Sequence, residues 1–251
     1  MNRRQALTSL AVLPGVLISE AHGGQQGRAV PGQIPKTRAA HVYLDQSGVF
    51  GAGGFTLGML VVSDPKKLSD KIALFRRKHH FRCQLRYRSR NKWKLPYAKD
   101  LINYCLTSGN VRVALRCIVD TTKGKAEPRS ERDERYVKHN AQLLAKVPGA
   151  QRDVAITTQS RYPKAKNSEL IALLRQRQPR IIEIALKRED EDDALQLLGV
   201  IVGSFQASKS FDVGPTKMDL ISFLGKKLGT GDDLWQDVSQ RAVSVEILQR
   251  G

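Results

Sequence analysis

The sequence is poor in cysteine and histidine, with only 3 and 5 residues respectively. Cys83, Cys105 and Cys117 are widely spaced and form no Cys-x-x-Cys pair, which favours neither a zinc site nor a disulfide framework. We therefore expect three packed or partly buried thiols. No motif places a histidine near Ser47 or Cys83, so Ser-His-Asp and Cys-His catalysis have little support.

A long hydrophobic run is also missing. The apolar stretch that ends at Ile18 contains Pro14 and Gly15, and it is too short to span a bilayer as a helix. The sequence therefore predicts no integral membrane span.

The first residues nevertheless have the layout of a targeting segment. Arg3 and Arg4 precede the apolar stretch, and Ser19-Glu20-Ala21 offers a small-x-small cleavage site, so residues 1–21 are interpreted as a twin-arginine export signal. Two alternatives stay open. The protein is either exported to the periplasm or cytoplasmic, and in the second case the segment is a short leader or the result of a start codon placed too early. Glycine and proline in residues 22–38 predict a flexible linker.

Acidic residues are scarce, with 24 against 42 lysines and arginines, which gives a net charge of +18 and a pI near 10.1. Such a charge predicts a polyanionic partner, either nucleic acid or an anionic membrane surface. With 251 residues, 41% of them hydrophobic, we expect a single folded domain over residues 39–251. The sequence points to no particular protein partner.

The scarcity of acids is greatest between Asp70 and Asp100, where the sequence has no acid and 11 basic residues. Aromatic residues are interleaved with these charges, which supplies stacking surfaces among groups that can neutralise phosphates. A solvated face would normally mix both signs of charge, so the pattern predicts a nucleic-acid contact. The predicted nucleic-acid-binding residues are Arg76, Arg77, Arg82, Arg86, Tyr87, Arg88, Arg90, Lys92, Trp93 and Lys94.

Asp45 follows the short apolar segment Val42-Tyr43-Leu44, which is typical of a buried strand. Gln46-Ser47-Gly48 predicts the end of that strand directly after Asp45, and a second strand follows over residues 54–62 as an antiparallel hairpin. The glycine-rich turn between them lacks the Lys-Ser/Thr of a phosphate loop. A carboxylate at a strand end is a common turn former, and it is also a suitable metal ligand.

Strands and helices alternate along the rest of the chain, which predicts an α/β layer fold. Apolar periodicity predicts helices at 65–78, 96–106, 136–147, 168–176, 192–205 and 217–228, strands at 111–119, 153–157, 180–186 and 243–248, and a polar loop over 121–135. One face of the helix predicted to begin at Asp192 carries Gln196, Gly199 and Gly203. This face is polar near the start of the helix and has no side chains further along.

Three motifs in order resemble the family called domain of unknown function 3800. They are Tyr43-Leu44-Asp45-Gln46-Ser47-Gly48, Gln84-Leu85-Arg86-Tyr87 and Leu195-Gln196-Leu197-Leu198-Gly199. Members read Asp-Glu-Ser-Gly, Glu-Leu-Lys-Trp and Leu-Gln-Leu-Ala-Asp at these places. The resemblance implies a ribonuclease H-like mixed sheet flanked by helices, with acids that bind divalent metal for phosphodiester chemistry.

This sequence departs from the family pattern at most of the acidic positions. Asp45 matches the first acid, whereas Gln84, Thr158 and Gly199 stand where the resemblance implies the other catalytic ligands. Because Mg²⁺ and related ions need carboxylate oxygens, we interpret the chain as a degenerate member that keeps the fold and the basic surface. On this interpretation the protein is catalytically inactive and binds no cofactor.

Two alternatives stay open at the sequence level. The chain could be an active nuclease with relocated ligands, in which Asp45 is joined by Asp192 or Asp193 and binds Mg²⁺ or Mn²⁺. It could also be an exported interaction protein whose basic patch meets anionic envelope polymers or a protein partner.

Overall fold

The computed structural model describes residues 39–49, 54–85, 94–119, 129–147, 153–159, 164–188, 191–209, 213–240 and 243–249. The export signal predicted over residues 1–21 and the linker over residues 22–38 lie outside these ranges and stay predictions. The described residues all belong to one compact unit, Thr37–Gly251.

Strands and helices alternate along the described residues. The strands are β1 (Ala40–Val49), β2 (Gly54–Val62), β3 (Val111–Val119), β4 (Val154–Gln159), β5 (Ile181–Lys187), β6 (Val238–Ser239) and β7 (Val243–Gln249). The helices are α1 (Pro65–Lys78), α2 (Leu95–Thr107), α3 (Arg129–Ala145), α4 (Lys164–Arg177), α5 (Asp193–Ala207) and α6 (Pro215–Leu228).

The strands form one mixed sheet in the order β5-β4-β1-β2-β3-β7-β6. The first three strands in sequence make an antiparallel meander, while β4 pairs parallel with β1 and β5 pairs parallel with β4. On the other side of the meander, β7 pairs parallel with β3. Strand β1 therefore lies inside the sheet, with β4 hydrogen-bonded on one side and β2 on the other.

Two hydrophobic clusters cover the two faces of the sheet. One contains apolar residues of α1, α2, α5 and α6, and the other contains those of α3 and α4. Successive β2 residues alternate between the clusters, because Leu60 and Val62 belong to the first and Met59 and Val61 to the second. The predicted fold class, an α/β fold with a mixed sheet flanked by helices, is confirmed.

Local sequence signals fix several helix ends. Asp64 caps α1, since its carboxylate accepts the backbone N–H of Lys67 at 3.0 Å, and Pro65 starts the first turn. At its other end, α6 stops at Gly229, which has a φ of 75° in the left-handed region.

The structure corrects several of the sequence-based boundaries. Helix α4 begins at Lys164 rather than at residue 168, and β4 continues to Gln159 rather than ending at residue 157. The predicted loop over residues 121–135 is wrong from Arg129 onward, because α3 begins there. This first part of α3 is rich in charged helix formers without apolar periodicity, so the pattern resembled a loop. The predicted end of β1 after Asp45 is also wrong, since the strand continues to Val49 in its pairing with β2.

The three thiols are free, as the cysteine spacing predicted. Cys105 and Cys117 are buried, and burial raises the pKa of each to about 12. The expectation of a packed or partly buried thiol is wrong for Cys83, which is exposed. Within the described ranges, none of the helices combines the length and the apolar character needed to cross a membrane.

Candidate functional site

Asp45 lies on the interior strand β1, at the point where the pairing of β1 with β4 ends. It is 8% exposed and sits opposite Gly58 of β2, and the parallel pairing of β1 with β4 stops one residue earlier at Leu44 and Thr158. Its Oδ1 accepts the backbone N–H of Gln46 at 2.7 Å. The aspartate is thus a buried carboxylate inside a continuing strand rather than a turn residue.

The side chain of Asp45 projects to the face of the sheet that α5 covers. Directly opposed residues of an antiparallel pair project to the same face, and Gly58 is opposite Asp45. A Cβ atom at Gly58 would lie 2.3 Å from Val202 Cγ2 and 2.9 Å from Leu198 Cδ1. The helix α5, which carries Gly199 and Gly203, therefore packs directly on this part of the sheet.

A hydrogen bond of Gln196 connects the motif that begins at Leu195 with the motif that begins at Gln84. Its side chain is 3% exposed, and its Oε1 accepts the backbone N–H of Leu85 at 2.7 Å. Gly199 follows Gln196 by three positions and so shares its side of α5. The backbone at Leu85, directly after Gln84, is thereby held on the side of α5 that carries Gly199.

Thr158 does not join this group. Its hydroxyl donates to the backbone carbonyl of Leu44 at 3.1 Å, and both residues line a small apolar cavity of about 40 Å³ beside α3 and α4. Because Leu44 and Asp45 are consecutive strand residues, they project to opposite faces. The preceding Thr157 is paired with Tyr43 and lies on the Asp45 side of the sheet.

The two acids proposed as relocated ligands each have other partners. Asp192 caps α5 by accepting the backbone N–H groups of Ala194 and Leu195 at 3.0 and 3.2 Å, and its other oxygen lies 2.8 Å from Lys187 Nζ. Burial, and then the charge of Asp192, raise the pKa of Tyr43 to about 12.

Asp193 forms a two-pronged ion pair with Arg76 through both of its oxygens. Across the described part of the chain, no three His, Cys, Asp or Glu side chains lie close enough together to hold a metal ion. The described donor set around Asp45 therefore does not fit a divalent metal of the two-metal type.

Arg76 holds the chain that leads into the basic segment. Besides its pairing with Asp193, it donates from Nη1 to the backbone carbonyl of Cys83 at 2.9 Å, and its guanidinium lies 5.2 Å from the ring centre of Phe81. Its side chain is only 24% exposed. Arg76 thus holds the backbone of the segment that follows α1, and its predicted contact with nucleic acid stays a prediction.

Arg77, Arg82 and Lys94 surround the same segment. Arg77 and Arg82 are exposed, and neither forms an ion pair with a described residue. Lys94 Nζ donates to the backbone carbonyl of Gln84 at 3.2 Å. The other predicted nucleic-acid-binding residues lie outside the described ranges: Arg86, Tyr87, Arg88, Arg90, Lys92 and Trp93.

Two of the interleaved aromatic residues belong to the core. Phe81 and Tyr97 are 2% and 1% exposed, and their rings stack with centroids 4.2 Å apart and planes at 18°. The expectation that they offer stacking surfaces to bases is therefore wrong. Burial raises the pKa of Tyr97 and keeps it neutral.

Comparisons with known proteins find similarity in structure only. No family model matches the sequence, and no curated protein matches it. A chain in the structure of the PCNA–RNase HII complex from Archaeoglobus fulgidus is similar at a TM-score of 0.44 and 10% identity, over 80% of this chain and 97% of that one.

A mutant of Bst-RNase HIII is similar at a TM-score of 0.41 and 11% identity, over 76% of this chain and 63% of that one. Such distant likenesses carry no argument about function, and the family named domain of unknown function 3800 stays a prediction. The α/β fold class rests on the sheet order and the helices themselves.

Proposed function

We propose that this protein binds nucleic acid through a basic surface beside the carboxyl end of α1, on a ribonuclease H-like scaffold that has lost most of its metal site. The observation that carries the proposal is the attachment of the segment 81–85 to α5. Arg76 and Gln196 hold its backbone, and this segment leads directly into the run of basic residues at 86–94.

The attachment of segment 81–85 to α5 favours binding because it fixes the position of the backbone that carries the basic side chains. Arg77 and Arg82 are exposed on either side of the turn that follows α1. Arginine and lysine side chains that neutralise phosphates release condensed counterions, and this release supplies most of the sequence-independent affinity for nucleic acid. A positioned segment also loses less conformational entropy on binding than a flexible one.

The proposed loss of catalytic activity is supported by the residue types at Gln84 and Gly199 and by the contacts of Asp192 and Asp193. Gln84 is a neutral amide, Gly199 has no side chain, and Asp192 and Asp193 are engaged by Lys187 and Arg76. A two-metal phosphodiesterase needs several carboxylates to clamp the attacking and leaving oxygens. A single buried aspartate does not supply that charge.

The binding proposal is tested by measuring affinity for single- and double-stranded DNA and RNA as a function of salt. The double variant Arg77→Ala/Arg82→Ala should weaken binding and reduce the slope of log K against log salt by about one unit per lost phosphate contact. The matched control is Lys66→Ala/Lys67→Ala at the other end of α1, which removes the same charge. Equal effects of the two double variants would reject the proposed surface.

The alternative of an active nuclease is supported by the retention of Asp45 as a buried carboxylate facing α5. It is tested by incubating the same nucleic acids with Mg²⁺ or Mn²⁺. We expect no cleavage above that of the Asp45→Asn variant. Cleavage that disappears in Asp45→Asn and in Asp192→Asn would establish relocated ligands instead.

A further inference from the structure

Strand β5 forms one edge of the sheet among the described residues, since it pairs only with β4. The backbone N–H of Val154 donates to the carbonyl of Arg180 at 2.9 Å, so the even-numbered residues of β4 direct their backbone groups toward β5. Ile156 is in register with Ile184, so its backbone hydrogen bonds go to the residues before and after Ile184, which are Glu183 and Ala185. The backbone groups of Ile184 and Leu186 consequently point away from β4.

This edge has unusual side chains for one that ends at solvent. Ile182 is 55% and Leu186 37% exposed, and they are two of the four large hydrophobic residues found exposed in the described ranges. Natural edges are commonly protected by proline, by lysine-rich sequence or by short length. β5 has seven residues, no proline and a single lysine, and its irregularity in register is confined to the end near Ile182.

The charges of β5 are complementary to themselves in one antiparallel register. In a two-fold pairing centred on Ala185, Glu183 lies opposite Lys187 of the second copy, and the same pair recurs on the other side of the axis. Ile184 then lies opposite Leu186, and these are the residues whose backbone groups point outward. The register therefore satisfies hydrogen bonds, opposite charges and apolar pairs together.

We propose that β5 is a dimer interface, at which it pairs antiparallel with β5 of a second copy of this chain about an axis through Ala185. Lys187 also lies 2.8 Å from Asp192 of its own chain, and its ammonium has three donors, so it can serve both carboxylates. A register centred on Ile184 would place Glu183 opposite Ala185 and lose both ion pairs.

The first test is the dimer dissociation constant of the full chain, measured by sedimentation. Glu183→Lys places two lysines opposite each other on both sides of the axis and should raise the constant about tenfold or more. Glu169→Lys, an equal charge change at an exposed position of α4, should leave it unchanged. A monomeric wild-type protein, or equal effects of the two variants, would overturn the proposal.

The second test fixes the register by disulfide cross-linking in a Cys83→Ser background, which removes the exposed native thiol. Ala185 would face itself in a non-hydrogen-bonded pair, with Cα atoms about 4.5 Å apart, so Ala185→Cys should cross-link two copies on oxidation. Ile184→Cys should not. Cross-linking at residue 184 instead, or at neither position, would contradict the interface described.

Discussion

Gly58 is the residue at which the packing of α5 on the sheet is decided. Its missing side chain leaves room for Val202 and Leu198, and an added Cβ would also come within 3.1 Å of Leu115 Cδ2. All three neighbours are buried side chains of the core, which has little room to yield. The close approach of helix and sheet beside Asp45 therefore depends on this glycine.

We expect Gly58→Ala to destabilise the protein by about 1–3 kcal/mol, because overpacking forces the neighbouring side chains out of position. Urea denaturation of Gly58→Ala, Val202→Ala and the double variant measures the effect. In the double variant the shortened residue 202 should accept the new methyl group, so the two costs should sum to more than the measured loss. Strictly additive costs would show that the methyl group is accommodated elsewhere.

Individual contacts of the site were the hardest part to predict from sequence. Arg76 and Asp193 are 117 positions apart, and Gln196 and Leu85 are 111 apart, so no local pattern links them. Charge density gave no sign that Arg76 is mostly buried and paired with Asp193. The roles that the family resemblance implies for Asp45, Gln84 and Gly199 stay predictions.

At the scale of elements, α5 organises the site from its first turn. The carboxylate of Asp192 accepts two backbone N–H groups there, and it is only 11% exposed. Capping satisfies donors that a helix otherwise leaves without partners, and a negative charge is favourable at this end of the helix.

We expect Asp192→Ala to lower the free energy of unfolding by about 1 kcal/mol through loss of the cap, with a further loss from the Lys187 pair. Asp192→Asn keeps a capping oxygen and should cost less. Urea denaturation of the two variants compares them directly. An asparagine variant as unstable as the alanine variant would assign the stabilisation to the charge rather than to the cap.

Elements with a clear apolar period were predicted well. The bounds of α1 and β3 agree with those expected from the sequence, because their buried residues repeat at helical and strand spacing. The start of α3 and the extension of β1 were missed, since charged residues form the first and pairing with β2 sustains the second. Tertiary pairing of this kind has no signal in a local window.

At the scale of the whole molecule, the excess of positive charge makes burial of another cation costly. His139 of α3 is partly buried, and this burial, together with the charges of Arg116, Lys138 and Arg135, lowers its pKa to about 4. The folded state therefore keeps this imidazole neutral over a range in which the unfolded state protonates it. Stability should fall as the pH decreases from about 6.5 to about 4.

The variant His139→Gln should flatten this part of the profile, by about 1–2 kcal/mol over the window after allowance for partial solvent exposure. The measurement is the free energy of unfolding against pH for both proteins. Lys78 and His79 lower the pKa of Asp100, and Lys146 and Arg116 lower the pKa of Glu246. Protonation of these two carboxylates in acid also destabilises the folded state, and this loss of stability should be the same in the wild type and in His139→Gln. Parallel profiles would exclude His139 as the source.

The strand order also constrains how the chain can assemble during synthesis on the ribosome. The meander of β1, β2 and β3 can form as soon as this part of the chain has been synthesised. The pairing of β3 with β7 and the hydrogen bond between Leu85 and Gln196 can form only after the later parts of the chain have been made. Contacts between distant positions form late because closing long loops is costly in entropy. The basic segment is thus translated long before the helix that anchors it, and we expect the nascent chain to expose strongly cationic sequence next to ribosomal RNA until α5 emerges.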